Sequence, residues 1–465
     1  VSITLSPQQD KAILTWRDWY KELPAAQESL RHMYDAQTGE QYAETVVDRG
    51  LDKAPFFLLN GFAGTGKSTV LPFLVEATGL APNQIVFCSP TGKAAKVMTK
   101  KLHAEKMTAT ATTIHKAIYQ PKAMKAYQIE QELFRAQAEF KDIQSSGNSA
   151  LIREAARRVK QWERDLERAY DENSPRFQLN PDSPSVRGAH LIVVDECSMV
   201  DANMADDLRG FGVPILAIGD PGQLPPVDPS GPGFCNRVAD AALTEIHRQA
   251  ADNPIIWASM RIREGDDVPY GSHGDGLLRV IEPHQDDKTF DLDLDAQIIV
   301  GTHEKRWQIT RKLRKLSGMH GLGPCAGEMM IVTKNSQQHP ALVNGTMAFV
   351  KDDVGYLNEG SITFNMAITA EDGRDYELKC LQAVPEEHYR GKNNPSAPKR
   401  DVFRARQTPN VHEVDYAYAI TCHKAQGSQW DEVVVHDQSN VFRADASRWL
   451  YTAVTRAAER LTLVI

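Results

Sequence analysis

The chain has 465 residues, of which 42% are hydrophobic and 25% charged, values that supply more than one buried core and exclude a globally disordered chain. Lys and Arg number 53 against 61 Asp and Glu, a formal charge of −8. This excludes a uniformly basic nucleic-acid coat and leaves a localised basic groove open. No run approaches about 18 consecutive apolar residues, so no membrane span is expected. The opening Val1-Ser2-Ile3-Thr4-Leu5 lacks the charged and apolar regions of a secretory leader. The six cysteines are scattered without a C-x-x-C pair, so neither a disulfide framework nor a zinc site is expected, and a reducing cytoplasm fits.

Residues 1–50 carry Trp16, Trp19, Leu23, Leu30 and Met33 at roughly helical intervals, which predicts a helical N-terminal segment. Short apolar runs at 56–60, 85–88, 191–194 and 215–218 read as strands, and 70–77 and 94–102 as helices. Strands apolar throughout and flanked by helices mark an α/β fold with a parallel sheet covered on both faces. Residues 119–190 interrupt the alternation. Much of 122–170 is charged and helix-prone, which predicts an inserted helical subdomain whose ends, 118–120 and 176–179, pair as a short ribbon. A second sheet-like block is predicted from 296–300 and again over 411–465. Between them, strands at 329–333, 347–351, 361–370 and 376–381, with turns at Asn344-Gly345, Glu359-Gly360 and Asp372-Gly373, predict a small barrel. The acidic run 286–295 reads as a solvated linker face.

Gly61-Phe62-Ala63-Gly64-Thr65-Gly66-Lys67-Ser68 matches G-x-x-x-x-G-K-[ST] between a predicted strand and a predicted helix, the context this motif requires. Glycines let the backbone turn its N–H groups toward phosphate oxygens, and the helix N-terminus adds a favourable dipole. Gly61, Gly64, Thr65, Gly66, Lys67, Ser68 and Thr69 are therefore the candidate nucleotide-binding residues; Lys67 reaches the β- and γ-phosphates and Ser68 ligates Mg²⁺. Asp195-Glu196 ends an apolar strand: Asp195 is placed to hold Mg²⁺ and Glu196 to polarise the attacking water. Two carboxylates there also suit a helix cap. These two motifs predict nucleotide hydrolysis without saying what it drives.

Three further segments narrow the choice. They are Gly219-Asp220-Pro221-Gly222-Gln223-Leu224-Pro225-Pro226, Thr421-Cys422-His423-Lys424-Ala425-Gln426-Gly427-Ser428, and Tyr451-Thr452-Ala453-Val454-Thr455-Arg456-Ala457. In this order the motifs closely resemble those of superfamily 1 helicases, specifically the 1B branch of RecD-like and phage Dda-like enzymes. The resemblance covers the chain apart from 119–190 and parts of 260–325 and 382–410. It implies two RecA-like P-loop domains, a mainly helical insertion in the first and an SH3-like β-barrel insertion in the second. The corresponding ranges are 1–118 with the N-terminal helical segment, insertion 119–190, the rest of the first domain 191–243, the second domain 244–325, its insertion 326–410, and its remainder 411–465.

By the same resemblance Gln9 reads the adenine edge, although Ser6 and Pro7 also suit a helix start. Gln223 senses the γ-phosphate, Arg248 and Arg456 close on it, and Gly427 belongs to the nucleotide site. Pro90, Thr91, Lys93, Thr113, His115, Thr421 and His423 resemble the segments that hold the sugar–phosphate track, where sequence-tolerant contacts are expected. Capping of loops by Thr and Ser is the plainer alternative. The basic residues Arg390, Lys392, Lys399, Arg400, Arg404 and Arg406 read as a solvated loop. Tyr119 or Phe177 is expected either as a strand-separating wedge or as core.

The implied activity is an ATP-dependent DNA helicase moving 5′-to-3′ on single-stranded DNA, with ATP and Mg²⁺ as cofactors. Its implied partners are single-stranded DNA, junctions of single- and double-stranded DNA, and replication or recombination proteins, without a membrane. The implied setting is the cytoplasm of a bacterial or phage-infected cell, in DNA replication or repair. An RNA helicase of the same superfamily would share every ATP residue. A translocase that displaces proteins would share all these motifs, whereas a P-loop switch or kinase would need only the first two.

Overall fold

The computed structural model describes residues 5–34, 41–121, 123–144, 149–169, 177–246, 252–282, 296–354, 357–392, 394–408 and 410–465. The chain divides into two compact units, one of residues 1–117 with 184–465 and the other of 118–183. The acidic run 286–295 and Arg248 lie outside the described residues.

In the larger unit the first helix, Pro7–Lys21, starts where the sequence signals it. Ser6 Oγ accepts from Gln9 N, Gln9 Oε1 accepts from Ser6 N at 2.9 Å, and Pro7 takes the first turn. Trp16 on this helix is fully buried and meets Phe57 edge-on at 5.3 Å between ring centroids. The helical expectation for residues 1–50 fails beyond Lys21. Gln27–Tyr34 and Gln41–Asp48 form an antiparallel pair, with Gln27 opposite Asp48 and Tyr34 opposite Gln41. Pro24 stands against continuing the helix, and the β-branched run Thr45-Val46-Val47 favours a strand.

The first six-stranded sheet has the order Ala241–Leu243, Phe56–Gly61, Ile215–Gly219, Leu191–Val194, Ile85–Ser89, Thr112–Thr113, with every neighbouring pair parallel. Its strands are buried nearly throughout because helices, among them Lys67–Glu76 and Gly92–Ala104, cover it. Phe57, Leu59, Val70, Leu74, Phe87, Met98, Val193 and Leu216 form its core; each such side chain contributes about 1.5–3 kcal/mol on burial.

The second six-stranded sheet runs Gly271–His273, Leu278–Ile281, Ala457–Val464, Trp430–His436, Gln297–Val300, Ala419–Thr421. It is parallel except for the antiparallel edge made by its first two strands. The third sheet has the order Val411–His412, Asp375–Leu381, Thr363–Ala370, Met347–Val350, Met329–Val332, Val414–Tyr416. Its two edge strands are separated in sequence by Glu413 alone, so the sheet curls back on itself. Residues 411–416 thus belong to this sheet, and the return to the second sheet begins at Ala419 rather than at 411. The second and third sheets share a core: Ile298, Val300 and Val434 pack with Met330, Ala348, Ile368 and Leu378.

The basic stretch expected as a loop is largely helical, over Ala383–Arg390 and Lys399–Gln407. Arg390 pairs with Glu359 at 3.2 Å and Arg406 with Glu413 at 3.4 Å, and Val402 buries against Leu381 and Val411. The fully buried pair of Arg314 and Glu328, 2.7 Å apart, fixes the helix His303–Leu316 to the start of the third sheet.

The smaller unit contains two long helices, Ala123–Gln144 and Ser149–Ala169, and a short antiparallel ribbon of Tyr119–Pro121 with Phe177–Leu179. The ribbon is the pairing expected from sequence. Phe177 is 44% exposed.

Candidate nucleotide and nucleic-acid site

The strand Phe56–Gly61 delivers the glycine-rich loop and the helix Lys67–Glu76 carries it away. Gly64 (φ 78°) and Gly66 (φ 79°) occupy the left-handed region, which glycine enters without steric cost. A Cβ on Gly61 would come within 2.7 Å of the Lys67 stem and 2.8 Å of Thr65 Oγ1, so glycine is needed where the lysine folds over the loop. Lys67 Nζ donates to the carbonyls of Gly61 (2.5 Å) and Phe62 (3.0 Å) and lies 3.8 Å from Asp220 Oδ2. Thr65 Oγ1 donates to Phe62 O at 2.8 Å, and Thr65 O receives Gln9 Nε2 at 3.4 Å. Ser68 and Thr69 are exposed at the helix start. Open loop N–H groups, a helix dipole and one ammonium together fit a polyphosphate.

Asp195 follows the buried strand Leu191–Val194, and its Oδ1 accepts from Glu196 N at 2.9 Å. Burial and the neighbouring Glu196 charge push its carboxyl up to about 6, against the pull of Lys101 and Lys67. Glu196 sits at φ 56°, ψ 39°, a conformation that costs a non-glycine residue energy and recurs at functional sites. Lys101 Nζ donates to Ser68 Oγ at 2.7 Å. A protein cation thus rests on the Ser68 hydroxyl and acts on the Asp195 carboxylate, so the donor set suits Mg²⁺. Among the described residues no cluster of three or more His, Cys, Asp or Glu side chains forms a metal site by itself.

Residues from the second sheet's side complete the site. Tyr451, on the helix Ala446–Val454, donates its hydroxyl to Asp220 Oδ2 at 2.7 Å and accepts from Ala63 N at 2.9 Å. Burial raises the Asp220 carboxyl while Lys67 and the Tyr451 hydroxyl oppose the shift. Leu224 N donates to Thr452 Oγ1 at 2.8 Å, and Gln426 Nε2 donates to Leu224 O at 3.1 Å. A Cβ on Gly222 would approach the Tyr451 ring to 3.0 Å. Gln223 is buried, and its Oε1 has no hydrogen-bond partner, as befits an amide that awaits a ligand. Arg456 is 6% exposed, and its guanidinium donates to the Thr452 and Ser428 carbonyls and to Thr455 Oγ1. Among the described residues it has no carboxylate partner. Arg263, on the helix Pro254–Glu264, stacks 3.8 Å above the Phe62 ring of the phosphate loop.

Two of the residues expected at the nucleotide are also engaged within the protein. Gly427 was expected with the nucleotide, and its φ of 72° and a would-be Cβ 2.9 Å from Ala94 Cβ and 3.1 Å from Thr91 Oγ1 put it against the other segment. It is a close-packing glycine beside the expected strand-holding residues. Gln9 has both ends of its amide engaged, by Ser6 N and Thr65 O, so it braces the loop from behind.

Thr91 caps the helix Gly92–Ala104 through Ala94 N at 3.2 Å, directly after Pro90. Lys93 Nζ lies 4.9 Å over the Trp430 ring and 3.8 Å from Glu371, and burial lowers its pKa. Thr113 Oγ1 accepts from Lys116 N at 3.2 Å, and burial lowers the His115 pKa. Thr421 is buried ahead of the short helix Cys422–Ala425; His423 packs 5.7 Å from Phe442, and its pKa is lowered by burial. Thr91 and Gly427 meet, which brings the segments that carry Thr91 and Thr421 together across the sheets. Asp220, Tyr451, Lys101 and Arg263 were missed as site residues. The first two stand inside quoted motifs, whereas nothing in the sequence singles out Lys101 or Arg263.

The loop, the paired carboxylates and the second sheet's contacts define a P-loop nucleotide-binding protein. Residues 40–275 match the AAA domain family, half of the chain, and the chain belongs to that family. Residues 416–464 match the UvrD-like helicase C-terminal domain, and with this order of domains the resemblance to superfamily 1B helicases is borne out. The ATP-dependent RecD2 DNA helicase of Deinococcus radiodurans is 25% identical over 424 residues, covering 87% of this chain and 46% of that protein. An uncharacterised protein of Methanocaldococcus jannaschii is 22% identical over 481 residues, covering 88% of this chain and 36% of that protein. The chain spans less than half the length of these curated relatives. Among solved structures, Pif1 helicase from Candida albicans covers 100% of this chain and 94% of its own, at 17% identity and a TM-score of 0.46. Bacteroides Pif1 bound to single-stranded DNA covers 100% and 93%, at 15% identity and a TM-score of 0.47. At these TM-scores the structural likeness adds nothing to the assignment. Among the described residues no helix is long and apolar enough to cross a membrane.

Proposed function

We propose that this chain is the motor of an ATP-dependent DNA helicase of superfamily 1B that moves 5′-to-3′ on single-stranded DNA and opens duplexes at junctions. The observation that carries the reading is the Tyr451 hydroxyl, which touches both Ala63 N of the phosphate loop and Asp220 of the following motif from the helix that leads to Arg456. A nucleotide site built partly from a second α/β body couples hydrolysis to relative motion of the two bodies.

In this reading 1–118 and 191–243 form the first RecA-like domain, and 244–325 with the C-terminal strands forms the second. The helical pair of 119–190 is the first insertion and bears the strand-separating element. The curled third sheet is the SH3-like insertion. Lys67 and the loop N–H groups bind the phosphates, while Ser68 and Asp195 hold Mg²⁺, which neutralises phosphate charge when bound. Glu196 takes the proton of the attacking water. Gln223, Arg456 and Arg248 contact the γ-phosphate, so its loss releases the second body. Pro90, Thr91, Lys93, Thr113 and His115 grip the strand from the first body, Thr421 and His423 from the second.

ATP hydrolysis measured with and without single-stranded DNA tests this. A severalfold stimulation by the strand is expected, and equal turnover under both conditions would contradict a DNA motor in favour of a P-loop switch.

A further inference from the structure

Lys101 belongs to none of the motifs, yet its ammonium lies 2.7 Å from Ser68 Oγ and acts on the Asp195 carboxylate more strongly than Lys67 does. Ser68 and Asp195 are the side chains assigned to the divalent cation under the proposed function, so the inference rests on that reading. A compact ammonium with three donors suits a hydroxyl and a carboxylate that wait for a metal ion.

The position of Lys101 in the chain adds a second consideration. It stands near the C-terminal end of the helix Gly92–Ala104, whose other end is capped by Thr91 and bears Lys93. Ala95, Met98 and Leu102 hold one face of this helix in the core, so a small displacement at one end is carried along its length of about 20 Å rather than absorbed by bending. Its first turn is already engaged: a Cβ on Gly92 would meet Val343 Cβ at 2.6 Å, Lys96 Nζ donates to Ala341 O at 2.6 Å, and Lys93 pairs with Glu371. A nucleic-acid phosphate seated at Thr91 and Lys93 competes for Lys93 with Glu371 and so acts on the start of the rod. A hydrogen bond of 2.7 Å is lost once its partners separate beyond about 3.5 Å, so a shift of about 1 Å at the far end frees Ser68.

We propose that Lys101 is a built-in competitor for the divalent cation, a positioning residue that occupies the Ser68 hydroxyl until a nucleic-acid strand engages the Thr91 end of its helix. The strand then stimulates hydrolysis partly by uncovering that metal ligand, in addition to any closure between the two bodies.

Lys101 is exposed, so its substitution leaves the core intact. The test is Mn²⁺ titration followed by electron paramagnetic resonance, on the full chain with ADP, with and without a thymidine oligonucleotide. Without the oligonucleotide, Lys101→Ala is expected to bind Mn²⁺ about three- to fivefold more tightly than wild type, the factor that one surface charge contact supplies. The oligonucleotide should tighten Mn²⁺ binding to wild type by a similar factor and leave Lys101→Ala unchanged. Lys101→Arg, which keeps the charge, should behave as wild type. Equal or weaker Mn²⁺ binding by Lys101→Ala, or an oligonucleotide effect that persists in it, would overturn the proposal. Absence of any Mn²⁺–ADP binding to wild type would overturn the nucleotide reading itself, and this inference with it.

Discussion

The two parallel sheets of the larger unit are built alike and equipped differently. In the first, the strand Phe56–Gly61 ends in a glycine-rich loop that opens a helix, and the strands Leu191–Val194 and Ile215–Gly219 are followed by Asp195 and Asp220. In the second, the strand Gln297–Val300 ends in Gly301-Thr302, but Gln438 Oε1 accepts from both of their N–H groups, at 2.9 and 3.2 Å. A glutamine side chain thus occupies both N–H groups. The strand Ala419–Thr421 ends in a hydroxyl and then His423 rather than a carboxylate. In open α/β sheets ligands bind at the carboxyl ends of the strands; under the proposed function the first sheet grips the nucleotide and the second assists it.

Several substitutions would break or sharpen that contrast. Lys67→Ala, in the sheet that grips, should lower ATP turnover by about 10³-fold, and near-normal turnover in a folded variant would remove the nucleotide assignment. Arg456→Ala, in the sheet that assists, should cost a comparable factor, about 10³, while binding of a fluorescent ADP stays near wild type. A large loss of ADP binding would instead make Arg456 a structural residue. Glu196→Gln should reduce turnover by about 10²–10³-fold and retain ATP, as equilibrium binding would reveal.

A smaller effect is expected at the join between the sheets. Tyr451→Phe keeps the ring over Gly222 but leaves Ala63 N and Asp220 without their shared partner, and should lower turnover by about tenfold, the cost of one buried hydrogen-bonding group left unsatisfied. Unchanged turnover would show that the hydroxyl bridge is incidental.

The smallest effect concerns pH. The Asp195 carboxyl stands at about 6 in the folded chain against 3.8 for the ordinary group. The folded state therefore holds this proton where the unfolded chain releases it. The resulting stabilisation is complete below 3.8 and fades as pH rises through 6. Asp195→Asn should lose this dependence and melt on the order of 2–4 °C above wild type at pH 7 in the absence of nucleotide. A wild type that remains the more stable of the two at pH 7 would contradict the burial argument.

The phosphate loop, the paired carboxylates and the parallel sheet were legible in the sequence because each is a local pattern with a local cause: glycines for positive φ, apolar runs for buried strands. The antiparallel pair of Gln27–Tyr34 and Gln41–Asp48 was not, because Leu30 and Met33 fit a helical spacing and outweighed the strand signals of Pro24 and Thr45-Val46-Val47. Gly427 was singled out by motif, and the close approach of Ala94 from another part of the chain is a constraint on it that no local pattern reveals. Lys101 and Arg263 were illegible for the same reason: their importance lies in contacts across 33 residues to Ser68 and across the two sheets to Phe62. Arg248 lies outside the described residues and stays a sequence expectation.

The most direct test of the central claim is ATP-dependent opening of matched DNA duplexes that carry either a 5′ or a 3′ single-stranded tail. The account predicts selective opening of the 5′-tailed duplex, abolished by Arg456→Ala. Opening of the 3′-tailed duplex alone, or of neither while single strands still stimulate hydrolysis, would contradict it.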